Sequence, residues 1–308
     1  MPALISIVAP LFNEEENVAY FVEEVTKVFG KLKYNYEIIL VDDGSQDKSL
    51  KVVKKIAEKN TKIKYITFSR NFGHQAAVKA GLDHALGDAV ISMDSDLQHP
   101  PELIPVLIEK WEEGYQVVYT VRDDEKTPFF KKITAKLFYW LINKLSSVEI
   151  EAGAADFRLL DSQVVNELKK LNESSLFLRG LVKWCGFKQY AINYRPHKRR
   201  SGESKYSLRK MVRLALDGIT SFSVVPLQLS TFLGFAFSSF AAIYAIYALI
   251  VFALGYRVIS GWASVIVSVL FLGGIQLLIL GLVGEYLGKT FLEVKKRPIY
   301  IIGETNLK

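Results

Sequence analysis

The 308 residues suffice for two domains, half of them are apolar, and 39 basic against 32 acidic residues leave a net charge of +7, which favours a polyanionic or membrane-surface partner. Cys185 is the sole cysteine, which excludes an intrachain disulfide and any cysteine-based structural zinc site and fits a reducing compartment. No basic residue precedes Leu4–Leu11, and Glu14, Glu15 and Glu16 follow at once, so the start of the chain is expected to be kept rather than cleaved as a signal peptide.

The first 125 residues alternate two patterns. Short runs rich in β-branched and aromatic residues at Ile5–Leu11, Glu37–Val41, Lys64–Phe68, Ala89–Met93 and Gln116–Val121 predict strands, and Glu15–Phe29, Lys48–Lys59, Gln75–Ala85 and Glu102–Glu113 predict the helices between them. This alternation predicts an α/β domain with a mainly parallel central sheet, whose binding crevice lies beyond the carboxyl ends of the strands. Asn13 and Glu14, Asp42-Asp43-Gly44-Ser45, Arg70-Asn71-Phe72-Gly73 and Asp94-Ser95-Asp96 fall there.

Pro10-Leu11-Phe12-Asn13-Glu14-Glu15, after the first strand, has neither the G-x-G-x-x-G nor the G-x-x-x-x-G-K-[ST] spacing, which removes the main support for a dinucleotide-dependent dehydrogenase or a P-loop enzyme. The run Val90-Ile91-Ser92-Met93-Asp94-Ser95-Asp96 instead delivers two carboxylates to a strand end, which suits a divalent cation shared with the diphosphate of a nucleotide sugar. Asp96 equally suits a cap for the helix that Pro100 and Pro101 introduce, and Asp42 and Asp43 equally suit a plain turn with Gly44.

Further along, Phe129 to Leu145 mixes Phe130, Ile133, Phe138 and Trp140 with four lysines, and Ser207 to Phe222 mixes Leu208, Met211 and Leu214 with Arg209, Lys210 and Arg213. Both patterns suit amphipathic helices in the headgroup layer, and the first equally suits a core-facing helix. Leu227–Leu254 and Trp262–Val283 run nearly free of charge for longer than the roughly 20 residues that cross a bilayer. With Lys205, Arg209, Lys210 and Arg213 before them and Lys289, Lys295, Lys296 and Arg297 after, the positive-inside bias predicts two spans with both flanks cytoplasmic. The expected division is a catalytic domain at 1–206, a juxtamembrane helix at 207–222, spans at 227–254 and 262–287, and a cytoplasmic tail at 288–308. Glu285 and the Gly284-x-x-x-Gly288 spacing suit helix packing or homo-oligomerisation. The basic residues cluster at membrane flanks rather than along an aromatic-studded groove, which argues against nucleic acid.

Five spaced motifs now stand in order: Pro10 to Glu15, Val41-Asp42-Asp43-Gly44-Ser45, Ser69 to His74, Met93 to Pro100, and Ala155-Asp156-Phe157-Arg158-Leu159-Leu160. With the two spans they resemble the family-2 glycosyltransferases that load sugars onto polyprenyl phosphates, most closely the bactoprenol glucosyltransferase type, similar to dolichyl-phosphate mannose synthases. The resemblance implies a GT-A nucleotide-sugar fold, Mg²⁺ or Mn²⁺ as cofactor, inversion at the anomeric carbon, undecaprenyl phosphate as acceptor and UDP-glucose as the leading donor. UDP-N-acetylglucosamine, GDP-mannose and an aminoarabinose donor stay open. It sets Pro10, Asn13, Glu14, Asp42, Asp43 and the Arg70–Gly73 loop against base and ribose, Asp94 near ribose and metal, and Asp96 and Gln98 on the cation.

The same resemblance makes Asp156 the position of a proposed catalytic base, and Arg200, Ser204 and Lys205 an acceptor-phosphate loop, with Arg122 a further candidate for that phosphate. A lipid phosphate with a second pKa near 6 is already largely ionised at neutral pH. Asp156 is therefore expected to orient donor hydroxyls or a cation such as Arg158, with base action the lesser role and a helix cap or plain ion pair the structural alternative. Two spans argue against a processive polysaccharide synthase. Asp96, Asp156 and a cationic loop together argue against a non-enzymatic sugar-nucleotide sensor.

Overall fold

The computed structural model describes residues 2–122, 144, 151, 153–173, 176–195, 220, 223–254 and 261–307. Its first half follows the expected alternation: β1 (Leu4–Leu11), α1 (Val18–Phe29), β2 (Asn35–Asp42), α2 (Ser49–Lys59), β3 (Ile63–Phe68), α3 (His74–His84), β4 (Ala89–Ser92), α4 (Ile104–Glu112) and β5 (Val117–Arg122). There follow β6 (Ala154–Asp161), α5 (Ser162–Lys170), α6 (Leu178–Trp184), β7 (Gln189–Tyr194), two long helices, α7 (Val225–Ala253) and α8 (Trp262–Val294), and β8 (Ile302–Thr305). Helix α1 begins later than the pattern predicts, because the Glu14 carbonyl takes both the Asn17 and Val18 N–H groups and folds residues 14–17 into a turn.

The eight strands form one sheet in the order β7-β5-β6-β4-β1-β2-β3-β8. β4, β1, β2 and β3 run parallel, as do β5 and β7, whereas β6 is antiparallel to both β4 and β5, and β8 to β3. Alternation along each strand splits the core in two. Ile5, Ile7, Ile38 and Leu40 pack with Phe21 and Val25 of α1 on one face, and Val8, Ile39, Val41 and Ile66 pack with Ala77 and Ala80 of α3 on the other. Gly81 allows α3 to lie close to β1, since a Cβ there would fall 2.1 Å from Val8 Cγ1.

Helices α7 and α8 are long and apolar enough to cross a membrane over Val225–Tyr247 and Ser264–Val294. α8 runs seven residues past the expected end at 287. The chain after α8 packs against the N-terminal sheet. It returns to the sheet edge, where the Tyr300 ring stacks on Phe68, the Ser69 N–H donates to Ile301 O at 3.0 Å and Lys54 pairs with Glu304 at 2.6 Å. An unpaired edge strand is a liability, and β8 covers that of β3.

Candidate active site

The carboxyl ends of the parallel strands open into a cavity of about 960 Å³. Pro10, Asn13, Glu14, Asp43 and Gly73 line it on the side of β1, β2 and β3, and Asp94, Asp96, Gln98, Arg122 and Asp156 on the side of β4, β5 and β6. Ten of the residues singled out in the sequence thus meet in one space. Asp42 and Arg70 are not on its wall. Asp42 is buried, accepts from the Ser45 N–H at 3.2 Å, and has its carboxyl pushed up by burial. Its Oδ2 is buried without a hydrogen-bond partner among the described residues. Arg70 lies over the Phe72 ring at 3.9 Å. The segments expected as an interfacial helix at 129–145 and a juxtamembrane helix at 207–222 lie outside the described residues but for isolated positions, and Arg200, Ser204 and Lys205 lie wholly outside them.

The loops beyond β1 and β2 are tied to each other. Asn13, at φ 56°, donates its N–H to Ser45 Oγ at 2.9 Å and accepts from the Gln46 N–H at 2.9 Å, while the Glu14 N–H donates to Ser49 Oγ at 2.8 Å. Gly44, at φ 69°, lets the β2 loop touch the next one, since a Cβ there would fall 2.7 Å from the Arg70 carbonyl carbon. Asp43 then fixes the loop after β3: it accepts from the Phe72 N–H at 2.7 Å and from the Gly73 N–H at 3.0 Å. Burial pushes its carboxyl up against the pull of those amides.

Asp156 stands at the other end. Arg179 of α6 clasps it with both nitrogens, Nε at 2.8 Å and Nη2 at 2.9 Å, and Arg158 Nη2 adds a third bond at 3.2 Å. Burial would raise the carboxyl, but the two guanidinium charges overcome it and hold it well below the usual carboxylate range. Arg158 is itself buried and pushed down to about 10. Between the two ends sits His74, the first residue of α3, with Nε2 3.3 Å from Asp94 Oδ1 and 3.8 Å from Asp156 Oδ2. Gln75 on the same helix accepts from the Leu178 N–H at 3.2 Å, tying α3 to the start of α6. His74 and Arg179 were not singled out in the sequence. His74 ends a quoted motif, but Arg179 belongs to none.

A divalent cation fits the donor chemistry of the loop after β4, where Asp94, Asp96 and Gln98 offer oxygen ligands to the cavity. Among the described residues no three His, Cys, Asp or Glu side chains form a group that could hold a metal alone, so water or phosphate oxygens would complete the shell.

The profile of the family described as "Glycosyl transferase family 2" matches residues 6–164, a little over half of the chain. The chain belongs to that family. Among similar curated proteins, the uncharacterized glycosyltransferase YkcC of Bacillus subtilis is 45% identical over 96% of this chain and 92% of its own length. The prophage bactoprenol glucosyl transferase homolog of Escherichia coli is 43% identical over 97% and 98%, and the bactoprenol glucosyl transferase derived from an SfII prophage in Shigella flexneri 42% over 98% of each. Of solved structures, glucosyl-3-phosphoglycerate synthase from Mycobacterium tuberculosis with Mn²⁺ and UDP is 19% identical with a TM-score of 0.48 over 71% of this chain and 78% of that one. As a family-2 glycosyltransferase with a GT-A fold, this chain has its acidic loop after β4 and Asp156 of the adjacent strand β6 lining one cleft.

Proposed function

We propose that this family-2 enzyme transfers one hexose, glucose from UDP-glucose as the leading donor, to undecaprenyl or another polyprenyl phosphate, with inversion, at the cytoplasmic face of the membrane. The observation that carries the reading is the single cavity that joins Asp94, Asp96 and Gln98 to Asp156 and Arg122. Relatives of 42–43% identity named bactoprenol glucosyl transferase, and two helices apolar enough to span a bilayer, support the lipid acceptor.

Pro10, Asn13, Glu14 and Gly73 hold base and ribose, with Asp43 shaping the loop that carries Gly73. Asp94, Asp96 and Gln98 would hold Mg²⁺ or Mn²⁺ with the donor's diphosphate, where the ion would supply positive charge against the departing nucleoside diphosphate. Arg122, with Arg200, Ser204 and Lys205, binds the lipid phosphate. An oxygen of that ionised phosphate forms the bond to the anomeric carbon as the bond to the diphosphate breaks, the electron pair leaving with UDP. No proton has to be removed. A carboxylate clasped by two guanidiniums is a weak base, so Asp156 and Arg179 act as a fixed orienting pair for donor hydroxyls.

The test is a lipid-product assay of the full chain in detergent with undecaprenyl phosphate and radiolabelled UDP-glucose, UDP-N-acetylglucosamine and GDP-mannose. Label should enter the organic phase with one donor, stop on chelation, return with Mg²⁺ or Mn²⁺, and be lost in Asp96→Asn. Transfer of label from none of the panel, by protein shown to bind donor, would argue for a sensor, and full transfer by folded Asp96→Asn would remove the metal assignment.

A further inference from the structure

The acidic loop after β4 is braced by a buried residue that also borders the cavity. His99 is buried, with its ring stacked on Phe157 at 5.2 Å and 19° and edge-on to Tyr194 at 6.1 Å. Its Nδ1 accepts the Asp94 N–H at 3.0 Å. An imidazole that accepts at Nδ1 carries its proton on Nε2, and Nε2 lies 3.8 Å from Asp94 Oδ2, beyond hydrogen-bond reach. The ring therefore fixes the backbone of Asp94 without engaging its carboxylate.

Three other tethers define the same loop. The Met93 N–H donates to Val8 O at 3.0 Å, Ser95 Oγ donates to Pro10 O at 3.1 Å, and the Gln98 N–H donates to Asp96 Oδ1 at 3.0 Å. Leu97, between the acidic pair and His99, has φ 60°. A leucine holds left-handed backbone only where its surroundings over-determine it. Phe157, on which the ring rests, is the neighbour of Asp156 in β6, and Tyr194 closes β7 and lines the cavity.

We propose that His99 is a positioning residue of the transferase: its Nδ1 acceptor and its stack on Phe157 set the Asp94-Ser95-Asp96 loop in the form that receives the cation, at a fixed height relative to Asp156. This rests on the reading of Asp94 and Asp96 as metal ligands. Groups that orient metal ligands from behind typically contribute about 10–100-fold to metal affinity.

The test compares His99→Asn, His99→Gln and His99→Phe in the full chain, with Asp96→Asn as reference. Asparagine carries an acceptor at the place of Nδ1, glutamine at the place of Nε2, and phenylalanine keeps only the stack. Two readouts serve: Mn²⁺ uptake in the presence of UDP or GDP, followed by the resonance of free Mn²⁺, and hydrogen exchange of the Asp94 amide in metal-free protein. His99→Phe and His99→Gln should speed Asp94 exchange and weaken Mn²⁺ uptake about tenfold or more, and His99→Asn should restore much of both. Unchanged uptake and exchange in folded His99→Phe, with uptake lost in Asp96→Asn, would overturn the role of His99 alone. Equal uptake by wild type and Asp96→Asn would overturn the metal reading beneath it.

Discussion

Asp94 and Asp156 are the same side chain on the wall of one cavity, and their surroundings differ. Asp94 follows the end of a parallel strand, 36% exposed, and faces the imidazoles of His74 and His99. Asp156 lies within an antiparallel strand, 16% exposed, and is gripped by Arg179 and Arg158. Under the proposed function, the difference separates a carboxylate that would receive an incoming cation from one whose charge is already satisfied by the protein. An ionised group held by fixed cations gives position, whereas one on a loop gives a ligand.

Substitution should divide the two. Asp156→Asn leaves Arg158 buried beside an amide and should cost about 3–5 kcal/mol of stability as well as activity, since removing one partner strands the other's charge. The pH dependence follows from the lowered folded-state value. The ion pair stabilises fully above the unfolded carboxylate value of about 3.9 and is lost only as pH falls through the lower folded one. Unfolding curves of wild type and Asp156→Asn should therefore stay separated by a constant amount from pH 5 to 8 and converge in strong acid. Activity of Asp156→Asn restored at high pH would instead make the residue a base. Asp94→Asn should do the reverse: turnover falls at least about a hundredfold, with unfolding free energy within about 0.5 kcal/mol of wild type. Equal destabilisation by both variants would erase the distinction. Arg179→Lys keeps the charge but not the two-pronged grip and should cost about 1–2 kcal/mol, read as a lower melting temperature and a lower kcat.

The two carboxylates were unequally legible in the sequence. Asp94 and Asp96 end a short apolar run whose strand character is local, so their place at a carboxyl end follows from the alternation of strands and helices. Arg158 was readable as a partner of Asp156, because residues two apart share a face of a strand. Arg179 was not, since it lies 23 positions on, beyond α5, and only the packing of α6 against α3 and α5 brings it back. The return of β8 to β3 was hidden for the same reason. Its pairing joins positions about 240 apart in sequence, and no local period encodes that. Asp42 and Asp43 read as one pair in the sequence, but alternation sends the two to different surroundings, one against Ser45 and one toward Phe72 and Gly73.

His74 tests how separate the two carboxylates are. Its Nε2 reaches toward both, at 3.3 Å from Asp94 and 3.8 Å from Asp156, but its side chain is 40% exposed and neither approach is a short hydrogen bond. Exposed pairs of this kind contribute up to about 1 kcal/mol. His74→Gln should therefore lower kcat/KM by no more than about fivefold and leave Mn²⁺ uptake and melting temperature near wild type. A loss as large as that of Asp94→Asn would break the division: the histidine would then be the link that makes the cation loop and the Asp156–Arg179 pair one unit. Double-mutant cycles between His74→Gln and Arg179→Lys measure that link directly, because independent sites add and coupled ones do not.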